Sequence, residues 1–75
     1  MRYPRIKDLR EDQDLNQREL AEKLFLTRSA YSNYENGLRD VPAEVLGRLA
    51  DYYNTSVDYL IGRTDERSPY PKGKK

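Results

Sequence analysis

Apolar side chains recur at helical spacing along almost the whole of this chain, and this periodicity constrains the fold more than any other feature. Residues three and four apart share one face of an α-helix, and no stretch alternates for long between apolar and polar residues as a strand would. Helix-starting and helix-ending residues interrupt the pattern at short intervals. The sequence therefore predicts an all-α fold of five short helices, at about residues 4–12, 17–24, 28–35, 42–53 and 57–61.

Capping residues indicate where several of these helices begin and end. Asn16, followed three residues later by Glu19, has the form of a capping box for the second helix. Thr27 suits the N-cap of the third helix. Gly37 suits the left-handed position that closes the same helix. Pro42 suits the first position of the fourth helix, because a proline has no N–H to leave unpaired there.

The length and composition of the chain limit what it can do. Seventy-five residues form one domain at most, and a chain of this size buries only about 60% of its unfolded surface. The chain has no cysteine and no histidine, so it lacks disulfides, zinc–thiolate sites and the commonest general base. We therefore expect no enzymatic activity, no metal and no cofactor. The predicted core consists of Ile6, Leu9, Leu20, Ala21, Leu24, Tyr31, Tyr34, Val45, Leu46, Leu49, Ala50, Tyr53, Val57, Leu60 and Ile61.

Charge is distributed unevenly along a chain whose net charge is only +1. Residues 1–62 contain nine basic and eleven acidic residues, whereas residues 63–75 contain five basic and two acidic residues. We interpret residues 1–62 as the folded domain and residues 63–75 as a basic, proline-containing, flexible tail. The charged N-terminus precedes no apolar stretch, which predicts a cytoplasmic protein with no membrane partner. A folded domain with so little net charge binds nucleic acid only if its basic residues are arranged on one face.

The third predicted helix has an outer face of unusual composition. Arg28, Ser29, Ser32, Asn33 and Asn36 follow one another at helical spacing, with no acidic residue among them. Arg, Asn and Ser side chains bond to base edges in the major groove of DNA, where a carboxylate would meet phosphates. Taken alone, the stripe fits an ordinary solvated surface equally well.

Two short helices separated by residues 25–27 form a helix-turn-helix unit. Residues 17–24 (QRELAEKL) and 26–37 (LTRSAYSNYENG) resemble the Cro and repressor type of helix-turn-helix, and residues 49–62 (LADYYNTSVDYLIG) are similar to that family's last two helices. The resemblance covers roughly residues 5–62. It implies a five-helix, lambda-repressor-like domain of a sequence-specific transcriptional regulator, most simply a repressor. Such a protein binds a two-fold symmetric operator in double-stranded DNA as a homodimer, with the third helix in the major groove.

The resemblance also implies roles for individual residues. Four positions match those that read bases: Arg28, Ser29, Ser32 and Asn33. Five positions match or adjoin those that contact phosphates: Asn16, Gln17, Asn36, Gly37 and Arg39. Gln17 also matches a position that braces the recognition helix. For Asn16, capping is an alternative that is compatible with a phosphate contact.

Two further groups of residues have structural or assembly roles in this interpretation. Arg10 and Glu35 each lie on the inward face of a helix, where a lone charge is costly. Their opposite signs and the family resemblance together predict a buried ion pair. Family members commonly dimerise near the end of the fifth helix, which makes Val57, Asp58 and Tyr59 candidates for the subunit contact.

Two residues depart from what the predicted fold favours. Phe25 stands where the family usually has glycine or a small polar residue, and a left-handed backbone there costs about 1 kcal/mol or more. Either the turn has another geometry, or Phe25 accepts the strain because its ring packs somewhere useful, for which we favour a neighbouring helix end over a contact with a partner. Gly47 lies inside the fourth helix, where glycine costs about 1 kcal/mol relative to alanine. Close approach of another helix would explain it.

A second functional interpretation belongs to a different class of protein. The nearly neutral charge also fits an antitoxin or antirepressor-like module of the same fold that acts on a partner protein. A protein antagonist of the regulator is a related expectation. No sensor domain accompanies the predicted DNA-binding unit, so we expect no small-molecule effector.

Overall fold

Five helices make up the regular structure of the computed structural model, which describes residues 2–69. Neither a strand nor a helix long and apolar enough to cross a lipid bilayer occurs within this range. The prediction of an all-α, five-helix fold is confirmed. The helices are α1 (Pro4–Asp12), α2 (Gln17–Lys23), α3 (Arg28–Glu35), α4 (Ala43–Tyr53) and α5 (Val57–Leu60).

Three helices differ by one residue from their predicted bounds. α2 ends at Lys23 because the backbone turns away at Phe25, which has a φ of 59°. α4 begins at Ala43 because Pro42, with a ψ of 153°, is extended and serves as the N-cap. α5 ends at Leu60, since Ile61 has left helical geometry, with a ψ of 3°.

The predicted capping interactions are present. Asn16 Oδ1 accepts a hydrogen bond from the Glu19 N–H at 2.8 Å, and Glu19 Oε1 accepts one from the Asn16 N–H at 2.9 Å. Thr27 Oγ1 accepts from the Ala30 N–H at 3.0 Å. Gly37 has a φ of +80°, the left-handed conformation that closes α3. Short-range sequence signals therefore set these helix ends.

The core lies where the inner faces of the helices meet, with α3 packed against α1 and α2, and α5 packed against α4. Most of the predicted core residues are buried, whereas Tyr34, Leu46, Val57 and Ile61 are half-buried. Val41, in the loop before α4, was not predicted and is also buried. The buried apolar residues are Ile6, Leu9, Leu20, Ala21, Leu24, Tyr31, Val41, Val45, Leu49, Ala50, Tyr53 and Leu60.

The explanations offered for Phe25 and Gly47 are both corrected by the structure. Phe25 is left-handed, as the turn requires, but its ring is 89% exposed and does not pack over a helix end. A Cβ atom placed on Gly47 would have no heavy atom within 4 Å outside its own helix backbone and chain neighbours. Close helix approach therefore does not explain this glycine.

Residues just beyond the predicted domain boundary contact the helices. Arg5 Nη1 donates hydrogen bonds to the carbonyl oxygens of Tyr59 at 2.9 Å and Thr64 at 2.6 Å, and Arg5 Nη2 donates to Asp65 Oδ1 at 2.6 Å. The Thr55 hydroxyl donates to the carbonyl oxygen of Arg67. The boundary at residue 62 stays a prediction, and residues 70–75 of the predicted tail lie outside the described range.

Candidate nucleic-acid interface

The side chains predicted to read bases converge on one shallow pocket. Arg28 and Ser29 are exposed in the first turn of α3, and Ser32 and Asn33 are half-buried one turn later. Together with Gln17 from the start of α2, these four side chains line the pocket. The polar residues that follow one another at helical spacing in α3 thus form a continuous polar surface with Gln17 of α2.

A second polar pocket lies beside the first. It is lined by Arg10, Asn16, Gln17, Arg18 and Arg28, so that Gln17 and Arg28 belong to both. Three guanidinium-bearing side chains meet here, although the protein as a whole is almost neutral. Arg10 is paired with Glu35, so Arg18 and Arg28 supply the positive charge that favours an anionic ligand.

Arg18 is a member of this surface that the sequence interpretation missed. The sequence patterns gave this residue no role in binding. The structure instead places it with Arg28 around the second pocket. Its position next to Gln17, in the first turn of α2, was the one signal that could have identified it.

Arg10 and Glu35 form a bidentate ion pair behind these pockets. Arg10 Nε lies 2.8 Å from Glu35 Oε1, and Arg10 Nη2 lies 3.0 Å from Glu35 Oε2. The Glu35 side chain is 1% exposed and that of Arg10 is 11% exposed. Arg10 Nη1 also donates to the Leu15 carbonyl at 2.7 Å. The pair therefore joins α1 and the following loop to α3.

Two more donors complete the coordination of the Glu35 carboxylate. Gln17 Nε2 donates to Oε2 at 2.7 Å, and the Tyr31 hydroxyl donates to Oε1 at 2.7 Å. Burial by itself would raise the pKa of Glu35. The hydrogen bonds from Arg10, Gln17 and Tyr31, with the positive charge of Arg10, outweigh burial and lower this pKa. Glu35 consequently stays ionised, and its bonds hold α3 at a fixed angle to α1 and α2.

Gln17 connects this buried network to the polar surface. Its amide nitrogen is bound to Glu35, while the residue also lines both pockets. A hydrogen bond from Gln17 therefore joins α2 to α3, and its bracing of a recognition helix stays a prediction.

The loop after α3 carries the remaining predicted phosphate contacts, which do not line either pocket. Asn36 Nδ2 donates to Ser32 Oγ at 3.2 Å. The N–H groups of Leu38 and Arg39 both donate to the Asn33 carbonyl, at 2.9 Å and 3.2 Å. Arg39 is exposed. These bonds tie the loop to the end of α3.

Gly37 brings the N-terminal segment against this loop. A Cβ placed on Gly37 would lie 3.0 Å from the Cβ of Arg2, so the two backbones approach closely. The exposed Arg2 thereby lies next to Gly37 in the loop after α3, in a way that sequence spacing does not reveal. It is the second cation that the sequence interpretation missed.

The residues suggested for dimerisation lie apart from both polar pockets. Val57, Asp58 and Tyr59 are half-buried on α5, and Val57 and Asp58 line a different pocket together with Gly47 and Ala50. The guanidinium of Arg5 stacks 4.2 Å above the Tyr59 ring and fixes its position. A role of α5 in a subunit contact stays a prediction.

Hydrogen bonding and positive charge are the chemistry that the two pockets provide. Between residues 2 and 69, no three side chains of His, Cys, Asp or Glu come together to hold a metal ion. The pocket-lining residues include arginines, amides and hydroxyls, and the hydroxyls of Ser29 and Ser32 have no histidine in the chain to activate them.

A family model described as helix-turn-helix matches residues 6–60, which include every residue of both pockets. The chain belongs to the helix-turn-helix family. The Cro and repressor resemblance predicted from residues 17–37 is confirmed by this match.

Several curated regulators are similar to this helix-turn-helix chain. The uncharacterised HTH-type transcriptional regulator YobD of Bacillus subtilis is 38% identical, over 87% of this chain and 58% of its own length. The HTH-type transcriptional regulator ImmR of the same organism is 39% identical, over 81% and 48%. The cryptic phage CTXphi transcriptional repressor RstR of Vibrio cholerae is 31% identical, over 81% and 55%. The matched segment thus spans about half the length of each relative. No solved structure matches the chain significantly.

Proposed function

We propose that this helix-turn-helix chain is the DNA-binding part of a transcriptional regulator, with α3 inserted into the major groove. The observation that carries the proposal is the convergence of Arg28, Ser29, Ser32, Asn33 and Gln17 on one pocket. The names of the three relatives, all transcriptional regulators or repressors, support it.

The side-chain chemistry of α3 matches direct reading of bases. Arg28 has the planar pair of donors that bonds to guanine, and Asn33 has the donor and acceptor that bond to adenine, each contributing about 1–3 kcal/mol of discrimination. Ser29 and Ser32 lie between them and bond to either kind of edge. The Glu35 network joins the helix that carries these side chains to α1 and α2.

Contacts to the DNA backbone are proposed on both sides of α3. Asn16, Gln17 and Arg18 approach from the start of α2. Asn36, Gly37 and Arg39 approach from the loop that follows α3, with Arg2 added beside them. Backbone contacts of this kind set the register of the protein on the duplex and carry no sequence information.

A homodimer on a two-fold symmetric operator, acting as a repressor, completes the proposal. One recognition helix reads too few base pairs to define a specific site, whereas two helices about one turn of DNA apart do so. α5 offers Val57, Asp58 and Tyr59 for the contact. The alternative of an antitoxin or antirepressor-like module, and the expectation of a protein antagonist, remain predictions.

Binding titrations of single variants against an operator selected from a random duplex library test the proposal. Arg28→Ala and Asn33→Ala should each weaken binding at particular base pairs, by about 1–3 kcal/mol, in both half-sites. Arg39→Ala should weaken binding to all duplexes alike and reduce the dependence of affinity on salt.

Ser29 and Ser32 are the control positions for this test, because they line the same pocket but their hydroxyls distinguish bases less well than Arg28 and Asn33 do. Their alanine variants should change base preference less than Arg28→Ala. Equal losses on every duplex for Arg28→Ala and Asn33→Ala would contradict base reading by α3. Selected sites without a two-fold repeat would contradict the dimer alone.

A further inference from the structure

Phe25 occupies a strained position without any packing that compensates for it. The turn after α2 bonds the Phe25 N–H to the Glu22 carbonyl at 3.1 Å and the Leu26 N–H to the Ala21 carbonyl at 2.9 Å. This bond pattern requires a left-handed residue at position 25, for which glycine is the favoured residue. The chain places a phenylalanine there, with a φ of 59° and a ring that is 89% exposed.

An aromatic cleft lies where the Phe25 ring emerges. Phe25 and Tyr52, two of the three exposed large hydrophobic residues in the described range, line one cleft, together with Lys23, Leu24, Arg48 and Asp51. This aromatic cleft separates the end of α2 from α4. Isolated exposed apolar residues are common on protein surfaces, but two aromatic side chains that line one cleft make it a candidate interaction site.

The α4 wall of the aromatic cleft is already held in place. The Tyr52 ring packs edge-on against Tyr53, with 5.0 Å between ring centroids. Arg48 Nη1 donates to the Leu24 carbonyl at 2.8 Å, and Arg48 Nη2 donates to Glu44 at 2.9 Å. A partner that enters the cleft therefore loses little entropy in ordering these side chains, which favours affinity.

Charge around the aromatic cleft defines the chemistry of a partner. Arg48 is paired with Glu44, and Asp51 already interacts with another residue. Lys23 forms no ion pair and no side-chain hydrogen bond with residues 2–69. The cleft thus combines apolar surface with one unpaired positive charge. A two-fold contact with a second copy through this cleft would bring two such lysines near each other.

We propose that Phe25, Tyr52 and Lys23 form a docking site for a protein segment that presents an apolar anchor side chain next to a carboxylate. The anchor fills the cleft between the two rings, and the carboxylate pairs with Lys23. None of the cleft residues lines the pocket formed by Gln17, Arg28, Ser29, Ser32 and Asn33. The docking site is therefore independent of the proposed DNA-reading surface.

Selection from a library of random twelve-residue peptides, with the full chain as bait, tests this inference. Wild-type protein should enrich peptides that combine a large apolar residue with Asp or Glu, and the Phe25→Gly variant should enrich none of them. A synthetic peptide of the enriched sequence should bind Phe25→Gly and Phe25→Ala at least about ten-fold more weakly than wild type. Lys23→Glu should reverse the charge preference of the selected peptides.

Stability measurements separate a docking role from a structural one. Phe25→Gly should keep or raise the melting temperature, because glycine relieves the left-handed strain while an exposed ring loses no packing. A lowered melting temperature with peptide binding retained would show that Phe25 serves the fold, and would overturn the inference. Leu38→Ala is the matched control, since Leu38 is 74% exposed but lies outside the cleft; it should bind the peptide as wild type does.

Other occupants of the cleft give different outcomes, each of which overturns the inference. Loss of self-association in Phe25→Gly, measured by sedimentation, would identify a second copy of the chain. A several-fold weaker affinity of Phe25→Gly or Lys23→Glu for every duplex would identify DNA as the occupant of the cleft. Enrichment of basic peptides, or of the same peptides by wild type and Phe25→Gly, would show that the cleft does not select the proposed partner.

Discussion

Four hydrogen bonds converge on the carboxylate of Glu35, and three of them join this single residue of α3 to side chains of α1 and α2. Removing one member of a buried pair leaves the other charge without a partner. Arg10→Met and Glu35→Gln should each lower the free energy of unfolding by about 3–5 kcal/mol, a large share of the stability of a small domain. Thermal unfolding measures this. Melting temperatures within about two degrees of wild type would contradict it, and the Arg10→Met/Glu35→Gln double variant should lose less than the two singles together.

Acid should weaken the same network. The pKa of Glu35 is lowered on folding, so its contribution to stability is full above its ordinary value of 4.5 and is lost as the pH falls through the lower, folded value. Urea unfolding of wild type below pH 4.5 should show a falling free energy of unfolding. Glu35→Gln, which has no carboxyl at this position, should show a shallower fall.

Two buried tyrosines differ in what their hydroxyls do. The Tyr31 hydroxyl donates to Glu35, whereas the Tyr53 hydroxyl has no hydrogen-bond partner within residues 2–69. Tyr31→Phe should lower the free energy of unfolding by about 1.5–3 kcal/mol, because a bond to a charged group is lost. Tyr53→Phe should leave stability unchanged or raise it, since an unpaired buried group is removed. Urea titrations measure both changes, and each variant serves as the control for the other. Equal effects of the two substitutions would contradict the prediction.

At the scale of helices and loops, two glycines have opposite roles. Gly47 lies inside α4, has open space where a Cβ would stand, and has no need of a left-handed backbone. Gly47→Ala should therefore raise the free energy of unfolding by up to about 1 kcal/mol. Gly37→Ala should lower it, because Gly37 has a φ of +80° and Arg2 stands in the way. Thermal melts of the two variants measure these changes in stability. A lower melting temperature of Gly47→Ala than of wild type would contradict the prediction for Gly47.

Arg5 acts at the scale of the whole molecule, because it links the first helix to residues 59–65 near the other end of the described range. Arg5→Met should lower the free energy of unfolding by about 1–2 kcal/mol through lost carbonyl bonds and stacking on Tyr59. It should also speed hydrogen exchange at the Arg63 N–H, which bonds to Asp58. Asp65→Ala is the control and should change little, since the Asp65 side chain is 98% exposed. Unchanged exchange in Arg5→Met would contradict the link.

The sequence by itself determined the elements of this molecule and the face of α3, because those features depend on residues close together in the chain. Helical spacing placed Leu20, Tyr31 and Leu49 inside. Side-chain oxygens three residues from the N–H groups that donate to them, as in the Asn16–Glu19 capping box, set the helix ends. The Arg10–Glu35 pair was within reach of the same reasoning, because two inward charges of opposite sign have few other ways to be stabilised.

Only the tertiary structure decided which side chains from different helices meet. Arg18 joins the polar pocket, Arg2 approaches Gly37, and Arg5 reaches Tyr59, through contacts that no periodicity in the chain encodes. The exposure of Phe25 belongs to the same class, since the position of a ring depends on the angle between α2 and α4 as well as on the turn. Local backbone preferences act over a few residues, whereas these positions follow from how the packed core sets the helices against one another.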